Sequence, residues 1–189
     1  PDMQDLGAIL AENPIIAAVK DDSGLEAALL TECRVIFLLY GNVCSVGGLV
    51  DRMKSADKVA MVHIDLVDGL SSKDVAVMFL RQNTRADGVI STKPAIVKAA
   101  KEQGLLAVQR FFLLDSLALA NFQKYAETDV ADMIAILPAT MPKIIRKITA
   151  SCRLPVIAGG LITDKEDILL ALQNGATAVS STNRAVWSL

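Results

Sequence analysis

Eight short apolar runs recur along the chain, and they constrain its fold more than any other feature. Each run is nearly continuous in aliphatic residues instead of alternating with polar ones, which is typical of strands buried on both faces. Together they predict an all-parallel sheet. The runs are IIAAV (15–19), VIFLLYG (35–41), VAMVHIDLV (59–67), GVIST (88–92), LLAVQRFFL (105–113), MIAILP (133–138), PVIAGG (155–160) and TAVSST (177–182).

Helix-like segments separate the runs, and several carry start and stop signals. The segment 93–104 has Pro94 in its first turn and ends on Gly104, the expected placement of these two residues. The segment 115–126 opens on Asp115, a good N-cap, and the segment 163–175 carries a predicted capping box of Thr163 and Glu166. The other helical segments are 23–32, 71–82 and 141–150.

Strands that alternate with helices in this way predict a small, closed (β/α)8 barrel of the TIM type, formed by residues 1–189 as a single domain. An open, doubly wound sheet is the alternative. Its dinucleotide-binding form has little support, because no GxGxxG motif follows the first strand. Apolar residues at helical spacing in residues 1–13 predict a helix that plugs the bottom of the barrel.

Composition narrows the class of protein further. No apolar run approaches the ~20 residues that span a membrane, and residues 1–10 lack the pattern of a signal peptide. Three widely spaced cysteines and a single His disfavour a metal site and fit a reducing cytoplasm. We expect no cofactor. The net charge of -2 provides no global attraction to nucleic acid, so any RNA binding needs a local basic patch.

The last two strands both end in small residues, which points to a phosphate site. Gly159 and Gly160 end the seventh strand and would let an anion approach main-chain N–H groups closely. Ser181 and Thr182, with Ser180, add hydroxyl donors at the end of the eighth strand, and a short helix from Asn183 would point its N-terminus at the same place. In (β/α)8 barrels the loops after these strands often bind phosphate.

Polar residues at the ends of other strands are candidates for contacts with the rest of a ligand. Period-2 alternation in the third strand predicts that His63, Asp65 and Val67 share a face. Buried polar groups need hydrogen-bond partners, and ligand hydroxyls could supply them. Cations at strand ends could neutralise a phosphate dianion. The further candidates are Lys20, Lys93, Gln109 and Arg110.

Signals for catalysis are weak. The sequence contains no Ser–His–Asp order, HExxH motif or Walker loop, so we assign no catalytic residue. An acid/base pair of Asp65 with Lys20 or Lys93 would suit an isomerase or a lyase, which leaves an enzyme as an alternative.

Seven blocks in this order resemble the glycerol-3-phosphate-responsive antiterminator family of bacteria: NPIIAAVKD, HIDLVDGL, DGVIST, QRFFLLDS, ILPATMPKII, PVIAGGLI and AVSSTNRAVW. The resemblance extends over the chain from about residue 13. It implies a (β/α)8 barrel and a regulator that binds glycerol 3-phosphate and acts on the leader mRNA of glycerol-uptake operons. The resemblance implies that the phosphate contacts Gly159, Gly160, Ser181 and Thr182. From their positions at strand ends, we place the glycerol end near His63, Asp65, Lys20, Lys93 and Arg110.

The RNA-binding side of this resemblance has less support in the residues, because no known RNA-binding motif is present. The best local basic segment is PKIIRK, which contains Lys143, Arg146 and Lys147 near Arg153. A homo-oligomer is compatible with the sequence. The alternative is a small phosphate-binding barrel enzyme, such as a glycerol-phosphate prenyltransferase or a phosphosugar isomerase.

Overall fold

The computed structural model describes residues 2–126, 128 and 130–189. Within them, eight strands pair in parallel, each with its neighbours in sequence, and β8 pairs with β1 to close the barrel. The strands are β1 (Ile15–Val19), β2 (Val35–Leu38), β3 (Val59–His63), β4 (Gly88–Ser91), β5 (Leu106–Phe112), β6 (Met133–Leu137), β7 (Val156–Gly159) and β8 (Ala178–Ser181). The predicted closed barrel is confirmed, and the open sheet is wrong.

A helix precedes β1 and helices connect the strands that follow. They are α1 (Met3–Glu12), α2 (Asp22–Leu29), α3 (Val46–Ser55), α4 (Asp74–Asn83), α5 (Pro94–Glu102), α6 (Ser116–Tyr125), α7 (Pro142–Ser151) and α8 (Lys165–Gln173). Two 3-10 turns, Ile64–Leu66 and Arg184–Val186, follow β3 and β8. The turn at Arg184–Val186 begins after Asn183, where the sequence predicts a short helix.

Two of the predicted helix starts are correct and one is wrong. Pro94 is the first residue of α5, as predicted. Asp115 caps α6 by accepting a hydrogen bond from the Ala118 N–H at 2.8 Å. The capping box of Thr163 and Glu166 does not form. The N-cap of α8 is Asp164, and the Asp167 carboxylate reaches back to the Thr163 N–H at 2.9 Å. Asp164 and Thr163 are both good N-caps, and the chain enters the helix one residue later than predicted.

Alternation along the strands divides the core into two layers. The outer layer packs the strands against α2 to α8, and the inner layer fills the barrel with residues such as Ile16, Val59 and Val108. Leu6 and Leu10 of α1 belong to the inner cluster, so α1 closes the end of the barrel at which the strands begin. The opposite end, where the strands finish, is therefore the open one.

Candidate functional site

The carboxyl ends of all the strands converge on one cavity of about 320 Å³. This volume is at the lower end of the range for ligand pockets and suits a small molecule. Its apolar wall comprises Ala18, Phe37, Leu39, Ile90, Ala135, Leu137, Leu161 and Ile162. Its polar groups are concentrated at the ends of β3, β5, β7 and β8, and they belong to His63, Arg110, Gly160, Thr163, Ser180, Ser181, Thr182 and Asn183.

The ends of β7 and β8 meet at this cavity, as the sequence predicts. Gly160 lines it with φ at +81°, a conformation that L side chains rarely adopt. The Ser181 hydroxyl donates to the Ile162 carbonyl at 3.3 Å and accepts from the Asn183 N–H at 3.0 Å, so it holds the turn. Ser180 and Thr182 also line the cavity, and neither side chain is engaged by another described residue. Their hydroxyl groups can therefore turn toward a ligand.

Gly159 is the last residue of β7 and does not itself line the cavity. A Cβ atom at this position would lie 2.4 Å from the Ser180 Oγ. The glycine thus makes room for the Ser180 side chain, and its influence on the cavity passes through that residue.

His63 is the last residue of β3, and the strand ends sooner than predicted. The chain turns into the 3-10 segment Ile64–Leu66, so the predicted alternation of His63, Asp65 and Val67 on one face is wrong. His63 itself lines the cavity and is only 2% exposed. Neither of its ring nitrogens has a hydrogen-bond partner among the described residues.

The environment of His63 keeps its imidazole neutral. Burial lowers the pKa of His63 to about 4, and the positive charge of Arg110 acts in the same direction, against the opposing effect of Asp65. At neutral pH the ring therefore carries one N–H donor and one bare nitrogen acceptor.

Asp65 is turned away from the cavity and joins the ends of β3 and β4. Its carboxylate accepts hydrogen bonds from the Ser91 Oγ at 2.7 Å and from the Thr92 N–H at 2.8 Å. Burial would raise the pKa of Asp65, but the hydrogen bonds from Thr92 and Ser91 outweigh it and hold the pKa below its usual value. The structure thus gives Asp65 a bracing contact between two strand ends.

Arg110 supplies the positive charge of the cavity. Within the described part of the chain, it is the one charged side chain that lines the cavity, and no carboxylate there pairs with it. Its guanidinium carbon lies 4.9 Å from the centroid of the Phe112 ring, within reach of a cation–π contact. Burial lowers the pKa of Arg110, yet a guanidinium stays protonated in proteins.

The other polar candidates lie outside the cavity. Lys20 is exposed after β1, and the Lys93 ammonium donates a hydrogen bond to the Ser72 hydroxyl. Gln109 points to the other side of β5, where its Nε2 donates to the Thr92 carbonyl at 2.8 Å. Of the cations that the sequence nominates, the structure brings only Arg110 into the cavity among the residues it describes.

The basic segment of the sequence lies on the outer face of α7, away from the cavity. Lys143, Arg146 and Lys147 are all exposed there. Arg146 also has a structural contact, since its Nε donates to the Asn174 Oδ1 at 3.0 Å.

The described residues form neither a metal site nor a membrane-spanning helix. Across residues 2–126, 128 and 130–189, no three His, Cys, Asp or Glu side chains come together in a way that could hold a metal ion. Of the helices described, none is both long and apolar enough to cross a membrane.

Comparison with known proteins identifies the family. The model of the glycerol-3-phosphate responsive antiterminator family matches residues 15–187. The chain belongs to this family. The resemblance carried by the seven sequence blocks is therefore confirmed.

Three known proteins are similar to this chain over nearly its whole length. The uncharacterized protein YgcP of Escherichia coli K12 is 44% identical over 181 residues, which cover 96% of this chain and 95% of YgcP. The glycerol uptake operon antiterminator regulatory protein of Listeria monocytogenes is 32% identical, with a TM-score of 0.89 over 93% of this chain and 95% of that one. A glycerol uptake operon antiterminator-related protein of Thermotoga maritima is 33% identical, with a TM-score of 0.78 over 92% and 96%.

Proposed function

We propose that this antiterminator-family protein is a cytoplasmic regulator that binds glycerol 3-phosphate in the cavity at the mouth of its barrel. The observation that carries the proposal is the lining of that cavity. One cation, Arg110, and the hydroxyl groups at the end of β8 provide partners for a phosphate, and His63 provides a partner for glycerol. The cavity of about 320 Å³ accommodates a three-carbon phosphate.

We place the phosphate between Gly160 and the segment Ser180–Thr182, in the cavity that Arg110 also lines. Charge-assisted hydrogen bonds from a guanidinium to phosphate are among the stronger polar contacts in proteins. Gly159 contributes by admitting the Ser180 side chain. Lys20, Asp65 and Lys93 lie outside the lining, so we assign them no direct contact with the ligand.

Calorimetric titration with glycerol 3-phosphate tests this site. Arg110→Gln removes the charge but keeps a polar side chain, and we expect it to weaken binding about 10- to 100-fold, since hydrogen bonds to charged groups contribute about 1.5–3 kcal/mol. Lys98→Gln, which removes an exposed cation on α5, is the matched control and should leave the affinity within about twofold. No binding by the parent protein, or equal affinities for the parent and Arg110→Gln, would refute the assignment.

A binding role rather than an enzymatic one fits the chemistry of the lining. No carboxylate lines the cavity among the described residues, so a carboxylate-based acid/base pair has no basis there. The pair of Asp65 with a lysine is also poorly placed, because the Asp65 carboxylate is engaged by Ser91 and Thr92. Phosphorus NMR of the purified protein with glycerol 3-phosphate should show no new signal over hours, whereas steady formation of a product would favour the enzyme.

We also propose that the ligand-bound protein binds leader RNA through the exposed lysines of α7, Lys143 and Lys147. They lie four residues apart on one helix face and carry the charge that RNA phosphates require. Arg146 contributes charge to this face but is also held by Asn174.

The RNA surface is tested by the double variant Lys143→Glu/Lys147→Glu, which spares Arg146 and its contact with Asn174. We expect it to bind leader RNA at least tenfold more weakly at ~50 mM salt with ligand present, and to keep its affinity for glycerol 3-phosphate. Lys73→Glu/Lys98→Glu, with the same charge change near α4 and α5, is the control. Equal RNA affinities of the two double variants would place the RNA elsewhere.

A further inference from the structure

The least satisfied buried side chain at the cavity is His63. It is 2% exposed, it lines the cavity, and neither ring nitrogen has a partner among the described residues. Buried polar groups are nearly always hydrogen-bonded, so two unpaired nitrogens that face a cavity are available to whatever binds there. We infer that His63 is the specificity-determining residue that recognises the hydroxyl groups of the ligand. This inference rests on the proposed function and extends it to the discrimination between phosphorylated three-carbon compounds.

The chemistry of a neutral imidazole favours a hydroxyl over a phosphate as its partner. The ring offers one N–H donor and one acceptor nitrogen, and a hydroxyl can accept from the first or donate to the second. A phosphate dianion offers acceptors alone, which would leave the bare nitrogen unpaired unless the ring gains a proton. Burial and the nearby charge of Arg110 both oppose that proton.

The strand order places His63 at the far wall from the phosphate. In the closed order β1 to β8, β3 lies opposite β7 and three strands away from β8. A three-carbon phosphate anchored at Gly160 and Ser180 would extend its carbon chain across the mouth toward β3. The adjacent strands β2 and β4 contribute Phe37 and Ile90 to the lining, whose side chains cannot form hydrogen bonds, and Arg110, whose charge acts on the ring, is assigned to the phosphate. A hydroxyl that reaches this wall therefore finds its partner in His63.

The experiment compares the affinities of two ligands for the parent protein and for each of three variants. Calorimetry measures the affinities of glycerol 3-phosphate and of n-propyl phosphate, which has the same carbon chain and phosphate but no hydroxyl group. The variants are His63→Phe, which removes both nitrogens, and His63→Gln, which restores a donor and an acceptor. Met61→Leu is the control, because Met61 is a buried residue on the same face of β3 that does not line the cavity.

We expect the parent and Met61→Leu to prefer glycerol 3-phosphate over n-propyl phosphate by at least about tenfold, the size of one or two hydrogen bonds. His63→Phe should reduce this preference to about twofold or less without changing the affinity for n-propyl phosphate, and His63→Gln should recover part of it. His63→Phe should fold well, because it removes unpaired polar atoms from a buried position.

The outcomes separate this inference from the proposed function. If the parent binds neither compound, the ligand assignment itself fails. If the parent binds both and His63→Phe weakens them by the same factor, His63 contacts the phosphate and the inference is wrong. An unchanged preference in His63→Phe would mean that another residue recognises the hydroxyl groups.

Discussion

Gly159 and Gly160 are adjacent in the sequence but are glycines for different reasons. At Gly160 the backbone adopts φ of +81°, which favours a residue without a Cβ. At Gly159 the backbone does not require glycine, but a Cβ would collide with the Ser180 Oγ at 2.4 Å. The sequence marks both residues as points of close approach, yet it cannot distinguish a ligand from a neighbouring side chain, because that depends on the packing of β7 against β8.

Gly159→Ala tests this distinction. The new methyl group should force the Ser180 hydroxyl out of its present orientation, so we expect weaker binding of glycerol 3-phosphate with a loss of about 1 kcal/mol in the free energy of unfolding. Gly48→Ala is the control, since a Cβ there meets no atom within 4 Å and Gly48 lies within α3. It should raise stability by about 0.4–1 kcal/mol and leave binding unchanged. Urea denaturation and calorimetry on both variants measure the two quantities.

His63 should make the stability of the protein depend on pH. Its pKa is about 4 in the folded protein and about 6.5 when unfolded, so between these values the unfolded chain binds more protons. The pH-dependent contribution of His63 to the free energy of unfolding is therefore greatest above about pH 6.5. It decreases by up to about 3 kcal/mol as the pH falls toward 4. Arg110 and Asp65 are the charged groups that act on the ring.

The measurement is the free energy of unfolding of the parent and of His63→Phe between pH 4 and 7. As the pH falls from 7 to 4, the parent should lose free energy of unfolding steadily relative to His63→Phe, which has no group that titrates at this position. Asp65 interferes little, because its folded pKa lies below 3.8 and its effect is lost at lower pH. Parallel pH profiles for the two proteins would show that the His63 ring is not held neutral.

At the scale of elements, strands were easier to locate from the sequence than their ends or the helices between them. The run at 15–19 coincides with β1, whereas the run at 59–67 continues beyond β3 into the 3-10 turn Ile64–Leu66. Turns of this kind contain apolar residues too, so composition does not mark the boundary. The sequence gives no start for α3, because Gly47 and Gly48 lower the helix propensity of its first turn.

Two carboxylates at the bottom of the barrel, which the sequence did not predict, each join the start of one strand to its neighbour and pair with a lysine. Asp87 precedes β4, accepts a hydrogen bond from the Ala60 N–H of β3 at 2.8 Å and pairs with Lys54. Asp132 precedes β6, accepts from the Ala107 N–H of β5 at 2.9 Å and pairs with Lys101 at 2.5 Å. The shared signal is an Ala-Asp pair directly before an apolar run, at 86–87 and 131–132.

We expect Asp132→Ala to destabilise the protein by about 2–3 kcal/mol. The substitution leaves the buried Ala107 N–H without its acceptor and Lys101 without its partner, and unsatisfied buried groups carry most of that cost. Asp51→Ala breaks a looser pair, in which both side chains are 60% exposed and the Arg85–Asp51 distance is 3.9 Å, and should change stability by less than about 0.5 kcal/mol. Urea denaturation that gave equal losses for the two variants would contradict this account.

At the scale of the whole molecule, the apolar packing that stabilises the barrel and the cavity that could bind a ligand lie at different positions along the barrel axis. α1 closes one end with Leu6 and Leu10, the interior is filled by aliphatic layers, and the cavity opens at the other end. The sequence predicts this polarity, because β7 finishes in glycines and β8 in residues with hydroxyl groups. The carboxyl ends of parallel strands must share one face of the barrel. It could not select Arg110 from the other cations, since this choice depends on which side chains point inward at the mouth.

Leu10→Ala tests the separation. Leu10 is 1% exposed within the inner cluster, so its truncation should cost about 2–5 kcal/mol, while Leu30→Ala, at a position 90% exposed, should cost less than about 0.5 kcal/mol. If the cavity is independent of the closed end, both variants should bind glycerol 3-phosphate as the parent does. A ligand at 100 times its dissociation constant would then add the same increment, about 2.7 kcal/mol, to the free energy of unfolding of each protein. A smaller increment in Leu10→Ala alone, measured by urea denaturation with and without ligand, would mean that α1 helps to shape the binding site through the barrel interior.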